Sequence, residues 1–383
     1  MPPAHPLDAV THPDPYPYYV ALARDRPLYR DGALDLWVAA HPDSITAILR
    51  HPAARVRPLA EPVPRGLCPG PAADLFGRFV RMNDSAAHAR LKVLLAAFIQ
   101  QQQRQGEDEH APPAWLPAAP RDAAGIDRYL YAAPVHAQAA LLGLAPSLHA
   151  DCAHDIVMFL GAVHASAKAN TNAGTRAEAD AARIVAGQAA AARLQARLEA
   201  HLSGPLASPA LRKLGADAAH AGIAPGMVAA NLAGLLFQSC EAGAGLLGNA
   251  LVMAGRRGPQ APATRRHALA LIDEVLRRDP PLHNTRRFMA EPVEIDGQRI
   301  EAGQTALLVL AAAAMAEPDA GWIFGAQRHA CPGAVPARNH AADALLHVLG
   351  AGVDAAALAA RFRYRPLPNA RIPQFDFQEE THP

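Results

Sequence analysis

Lysine is nearly absent from this chain of 383 residues; it occurs only at Lys92, Lys168 and Lys213. Almost all positive charge is therefore arginine, which reads as the base composition of the coding DNA rather than as a basic surface. With 36 basic and 35 acidic residues the formal net charge is +1, so the chain carries no electrostatic signature of a nucleic-acid partner. Cysteine is scarce as well. The four, at positions 68, 152, 240 and 331, are too few and too scattered for a disulfide framework. Long apolar runs are missing: the longest, near 306–316, is too short to span a bilayer. The opening Met1-Pro2-Pro3-Ala4-His5-Pro6 contains no hydrophobic signal or anchor. These absences predict a cytoplasmic protein with no membrane partner. Hydrophobic residues at 51% against charged residues at 19% leave ample material for a core.

The hydrophobic pattern predicts a mainly α chain with a minor β-sheet region. Helical spacing runs through 16–23, 85–103, 126–144, 148–164, 175–202, 225–254, 264–278 and 332–349. Alternation around Asp31-Gly32 predicts a hairpin over 28–40, strands are expected near 293–310, and 361–377 alternates like closing strands. The proline-rich 53–80 stretch reads as irregular. No internal repeat is visible, and the alanine tracts are helix-favouring composition. Residues 1–383 are read as a single domain.

The most informative cysteine lies in Phe324-Gly325-Ala326-Gln327-Arg328-His329-Ala330-Cys331-Pro332-Gly333. A tight loop ends at Cys331 and a helix follows, with Pro332 expected at a first helical position. Amides and the dipole at a helix N-terminus favour a thiolate. Gly333 leaves room for a flat macrocycle, and Arg328 and His329 can donate to carboxylates. Most lone cysteines are small apolar core residues. A thiolate, a planar space and carboxylate-binding cations together point instead to haem held through sulfur.

This loop resembles the cysteine-ligand loop of the cytochrome P-450 superfamily, keeping Phe324, Gly325, His329, Cys331 and Gly333 but placing Gln327 at the second glycine. Three further segments resemble the family in the expected order. Glu274-Val275-Leu276-Arg277 resembles its Glu-x-x-Arg helix, whose pair braces the fold. Arg287, ahead of Val293-Glu294-Ile295-Asp296-Gly297, matches the arginine that binds a haem propionate. His88 and Lys92 match a His-x-x-x-Arg helix, with Lys92 keeping the charge but losing the planar fork; Arg90 falls on another part of that helix and reads as structural. The resemblance implies the P-450 fold with haem b (iron protoporphyrin IX) between a long central helix and the cysteine loop. It also implies Cys331 as iron ligand and His88, Lys92, Arg287 and His329 around the propionates.

Two departures stand out. Glu317-Pro318-Asp319-Ala320-Gly321-Trp322-Ile323 runs almost directly into Phe324, where the family has a longer meandering segment that supplies a third partner for the Glu-x-x-Arg pair. In the central helix, Glu241 occupies the family's acid position, but Ala242 replaces the threonine that orders water for proton delivery. Gln238 stands where a small residue usually faces the haem, and Ser239 can reach a similar face. Expected catalytic residues are therefore Glu241, Gln238 and Ala242. His283, Asn284, Phe237 and Gln238 are expected to border a small and polar substrate. The segment His149-Ala150-Asp151-Cys152-Ala153-His154 invites a metal reading but reads as structural, as lone histidines usually are.

The resemblance implies a haem-thiolate oxidase or monooxygenase of specialised metabolism. Electrons would come from NAD(P)H through a reductase and a ferredoxin-type donor. Peroxide-driven or non-oxygenative chemistry, such as ring closure or rearrangement, is the alternative enzyme reading. A catalytically silent haem protein that binds a ligand is the third.

Overall fold

The computed structural model describes residues 2–103, 113–168, 175–258, 261–326 and 330–377. The chain forms two compact units, neither of them one contiguous stretch. The first comprises 1–54, 116–133 and 241–383; the second comprises 55–115 and 134–240.

The first unit is organised by a small sheet. Strands Leu28–Asp31 and Leu36–Ala39 form the expected antiparallel hairpin. Leu36–Ala39 runs parallel to Thr305–Leu308, which pairs antiparallel with Thr285–Met289. Side chains alternate across these strands as period-two geometry requires. Trp37, Ala39, Ala306 and Leu308 enter one core with Ile45, Ile48 and Leu49 of helix Pro42–Arg50 and with Trp322. Leu36, Val38, Leu307 and Val309 enter the other with Tyr19 and Leu22 of helix Tyr16–Asp25. Each fully buried large aliphatic side chain contributes about 1.5–3 kcal/mol. The second half of the apolar run near 306–316 is not strand: helix Leu310–Ala316 follows Val309 directly.

The same unit contains a buried polar network absent from the sequence reading. Arg371, 1% exposed, donates from Nε to Asp279 Oδ1 at 2.6 Å and from Nη1 to the carbonyls of Val10 and His12 at 2.8 Å each. Its guanidinium lies 3.4 Å from the Tyr364 ring centroid. The hydroxyls of Tyr16 and Tyr364 also donate to Asp279. Asp279 follows helix Arg265–Arg278 as its C-cap, and Asn249 Nδ2 donates to its carbonyl at 2.8 Å. His283, fully buried, is 2.7 Å from the Tyr19 hydroxyl through Nδ1.

The second unit is helical. Helices His149–Lys168 and Thr175–Ser203 pack closely at Gly187, where a Cβ would fall 2.2 Å from that of Ala162. Asp155, 2% exposed, bridges them through Arg193 and Arg197 at 2.5 and 2.8 Å. Phe237 meets Phe159, Phe79 and Phe76 at centroid distances of 5.1, 5.5 and 6.5 Å. Helices Pro71–Gly77 and Pro209–His220 had not been expected; the first falls inside the proline-rich stretch, with Pro71 placed where a helix accepts it.

Burial, then the nearby Arg371 charge, holds the His283 imidazole far below its ordinary pKa. A neutral folded histidine contributes its full stability above the unfolded value of about 6.5 and loses it as pH falls. Unfolding free energy should drop by roughly 1.4 kcal/mol per pH unit through this residue between about pH 6 and 5. His283→Gln should reduce the measured slope by that amount. An unchanged slope in urea titrations would show that His283 carries its charge inside the fold.

Candidate active site

The cysteine loop begins where helix Leu310–Ala316 ends. Two short 3-10 turns, Pro318–Ala320 and Trp322–Phe324, carry the chain from that helix to Gly325, so the connection is as brief as the sequence implies. Gly321 and Gly325 take φ of 69° and 70°, a region costly for residues with a Cβ. The Phe324 carbonyl accepts the Cys331 N–H at 2.7 Å, which closes the loop. His329 lies at 327–329, outside the described residues. The following helix, Ala334–Gly350, starts later than expected: Gly333 is its N-cap, and Pro332 lies in the preceding turn. Cys331 is exposed. Gly333 has φ −97°, which any residue adopts, so backbone geometry does not demand the glycine. Among the described residues, the one heavy atom its absent Cβ would approach within 4 Å is Cys331 Sγ, at 3.8 Å. The glycine thus keeps space open beside the sulfur.

Arg287 lies on strand Thr285–Met289, paired in register with Ala306, and is 6% exposed. Its Nη1 donates to the Arg286 carbonyl at 2.7 Å, which fixes the guanidinium near the strand. His88 and Lys92 share a face of helix Ala86–Gln103 in the second unit, both half-buried. Ser85 Oγ accepts the His88 N–H at 3.4 Å, and its hydroxyl faces His88 Nδ1. With that hydroxyl donating to Nδ1, the ring proton belongs on Nε2. Nε2 is buried and has no hydrogen-bond partner among the described residues. A buried N–H without an acceptor costs roughly 1–3 kcal/mol, so this position favours an added acceptor such as a carboxylate. Within the first unit, open space beside the Cys331 thiol suits a flat cofactor such as haem; within the second, the orphaned His88 donor suits a carboxylate.

Helix Pro225–Arg257 is buried over 228–234 and 244–252 but partly open at Leu235, Phe237, Gln238, Ser239, Glu241, Ala242 and Gly243. Gln238, Glu241 and Ala242 are three and four residues apart and therefore share the open face. Ser239 does not supply the missing hydroxyl: its Oγ donates to the Leu236 carbonyl at 2.8 Å.

Other expectations need correction. His283 and Asn284 do not offer their side chains to a substrate. His283 is sealed against Tyr16 and Tyr19, and Asn284, 5% exposed, donates to the Pro368 carbonyl at 2.8 Å. Their polarity serves the buried network and the C-terminal segment. Nor does Glu274 pair with Arg277. Glu274 joins Arg257 and, at 3.4 Å, Arg278, while Arg277 is exposed and forms no ion pair in the described structure. Helix Arg265–Arg278 is instead tied to the helix after Cys331 by Asp273, which Arg338 grips with Nε and Nη2 at 2.7 and 2.6 Å. Arg265 reaches Asp343 at 2.7 Å. His340, between them, is pushed down to about 4 by burial and by Arg265. Sequence reading passed over Asp273 beside the more familiar Glu274; the signal was an acid one residue earlier and an arginine seven residues past the cysteine.

No family model matches the chain, and no curated protein matches it. Solved structures do. CalO2 superposes with a TM-score of 0.70 at 21% identity, covering 97% of each chain. P450 RauA, solved with a biosynthetic intermediate of aurachin RE, gives 0.66 at 18%, covering 94% of each. P450BioI, solved with acyl carrier protein bearing hexadec-9Z-enoic acid, gives 0.66 at 18%, covering 94% of this chain and 96% of that one. The chain has the cytochrome P450 fold. No helix among the described residues is long and apolar enough to cross a membrane.

Arg277→Gln should therefore change stability by no more than about 0.5 kcal/mol, as exposed substitutions do. Glu274→Gln should cost about 1–2 kcal/mol, because the Arg257 partner is only partly exposed. Thermal and urea midpoints of the two variants check this. A larger loss at Arg277 would restore it as the brace.

Proposed function

We propose that this chain is a haem-thiolate oxidoreductase of the monooxygenase type, acting on a small molecule in specialised metabolism. The observation that carries the reading is the exposed Cys331 thiol at the end of a closed loop, with Gly333 leaving open space beside Sγ. Cys331 would ligate the iron of haem b. By the resemblance, Arg287, His88, Lys92 and His329 would take its carboxylates. When bound, the haem would supply oxygen activation, which a thiolate ligand favours by pushing electron density toward O–O cleavage. Electrons would come from NAD(P)H through a reductase and a ferredoxin-type donor.

The rest follows from this chain's own side chains. Gln238 can hold a substrate carbonyl or hydroxyl through its amide. Glu241 can hold a water and pass a proton from its carboxyl oxygen. Ala242 can do neither, and the Ser239 hydroxyl is engaged with the backbone. Proton delivery then depends on Glu241, ordered water and the substrate's own polar group. With His283 and Asn284 withdrawn from the site, polarity of the substrate rests on Gln238 and Glu241. Phe237 and its aromatic neighbours favour an apolar portion as well. The biosynthetic intermediate bound in the similar P450 RauA supports the reading of specialised metabolism. The absent hydroxyl at 242 favours a second reading, peroxide-driven turnover, in which no donor protein is needed.

The reduced carbon-monoxide complex should show the red-shifted Soret band of thiolate ligation, and Cys331→Ala should abolish it. Retention of that band in the variant would sink the assignment. Product formed per electron consumed separates the two modes of turnover. For substrates lacking a polar group, Ala242→Thr should raise this ratio by about tenfold, below the roughly 10²–10⁴-fold of a fully effective proton donor. Full turnover on peroxide without any donor protein would favour the second reading.

A further inference from the structure

The cysteine loop has lost most of the chain that precedes it in the resembling family, and the Glu274 carboxylate is committed to Arg257 and Arg278. Among the described residues, the loop side holds Cys331 through its N–H to the Phe324 carbonyl. The helix side adds side-chain pairs. Arg338 is the fifth residue of helix Ala334–Gly350, one turn in, and its planar fork meets both oxygens of Asp273. Two parallel hydrogen bonds fix rotation as well as distance, which a point charge does not. The second pair, Arg265–Asp343, adds an attachment five residues farther along the same helix. Two pins on one pair of helices suppress both sliding and rolling. Cys331 lies seven residues ahead of Arg338, where rolling of the helix would translate directly into displacement of Sγ.

Resting on the haem-thiolate reading above, we propose that the Asp273–Arg338 pair is a positioning device for the Cys331 thiolate, replacing the brace that the shortened segment no longer supplies. The pair is about a third exposed, with side-chain exposures of 32% for Asp273 and 36% for Arg338. Its contribution therefore falls on where the sulfur sits rather than on whether the protein folds.

The test compares wild type, Asp273→Asn, Arg338→Lys, the charge exchange Asp273→Arg with Arg338→Asp, and Arg277→Gln as a control on the same helix. The readouts are the ratio of blue-shifted to red-shifted Soret bands in the reduced carbon-monoxide complex and the melting midpoint of the apoprotein. Asp273→Asn should raise the ratio about twofold to fivefold, the population change expected from losing one such pair. Arg338→Lys should give a smaller rise, the charge exchange should recover part of the loss, and Arg277→Gln should leave the ratio at the wild-type value. The apoprotein midpoints should stay close to wild type throughout. A wild-type ratio in both Asp273→Asn and Arg338→Lys overturns this proposal while leaving haem-thiolate ligation intact. Wild-type protein without any thiolate band overturns the ligation itself. If Asp273→Asn fails to fold, the ratio in Arg338→Lys and in the charge exchange decides.

Discussion

The first unit depends on one buried ion pair. Asp279 and Arg371 lie almost out of contact with water, and removing either partner would strand a charge at a cost of about 3–5 kcal/mol. The surrounding groups make the pair tolerable. Two tyrosine hydroxyls satisfy Asp279, and three backbone carbonyls, of Val10, His12 and Pro13, take the remaining arginine donors. Those carbonyls belong to a segment with no regular structure of its own, so the arginine gives it a fixed place. One side chain thereby joins the N-terminal segment, the end of helix Arg265–Arg278 and the C-terminal strand pair Arg363–Tyr364 and Pro373–Gln374. The guanidinium is raised in pKa by Asp279 against the opposing effect of burial, and Tyr16 and Tyr364 are pushed upward, burial being the largest cause.

That network was illegible in the sequence for a physical reason. Arg371 and Asp279 are 92 positions apart and belong to no local pattern. The features that could be read were local: the period-two hairpin, the long helices, and the cysteine loop with its glycines. Hydrophobic spacing located most helices within a few residues, but Pro209–His220 and Ala355–Ala360 escaped it. Helix Leu310–Ala316 escaped for a different reason: an alanine run buried all round gives no periodicity to distinguish helix from strand. The cysteine loop was legible as a local turn, as at Gly325, whose positive φ suits glycine. The site was not legible where pairing depends on tertiary placement. Glu274 had three arginines within reach, and only the fold could choose Arg257 and Arg278 over Arg277. His283 and Asn284 looked like substrate contacts because polar residues in an apolar setting invite a functional reading; here they satisfy buried partners.

Glycine gives the Asp279–Arg371 network a route to the open face of helix Pro225–Arg257. A Cβ at Gly245 would come within 2.8 Å of Pro281 and 2.9 Å of the Arg371 carbonyl. At Gly248 it would come within 2.8 Å of Pro373. The helix backbone thus lies directly against the segments that Arg371 fixes, with no side chain between to absorb a displacement. Gly245 is one turn past Ala242 and four residues past Glu241. The height of that turn is set by contacts that backbone and proline rings make, and these are stiffer than any side-chain packing that could replace them.

On the haem-thiolate reading, a chain with alanine at position 242 would rely on the placement of the groups that remain, and rigidity near Glu241 would then serve function. The same logic holds around the cysteine, where a shortened connection leaves few residues to hold the loop. In both places a local motif has lost a member, and a contact distant in sequence bears on the position of what is left: Arg371 and Pro281 on the helix turn, Asp273 on the helix that follows Cys331. On the proposed reading, the missing hydroxyl at 242 and the short connection ahead of Cys331 would each be offset by backbone and ion-pair contacts beside them.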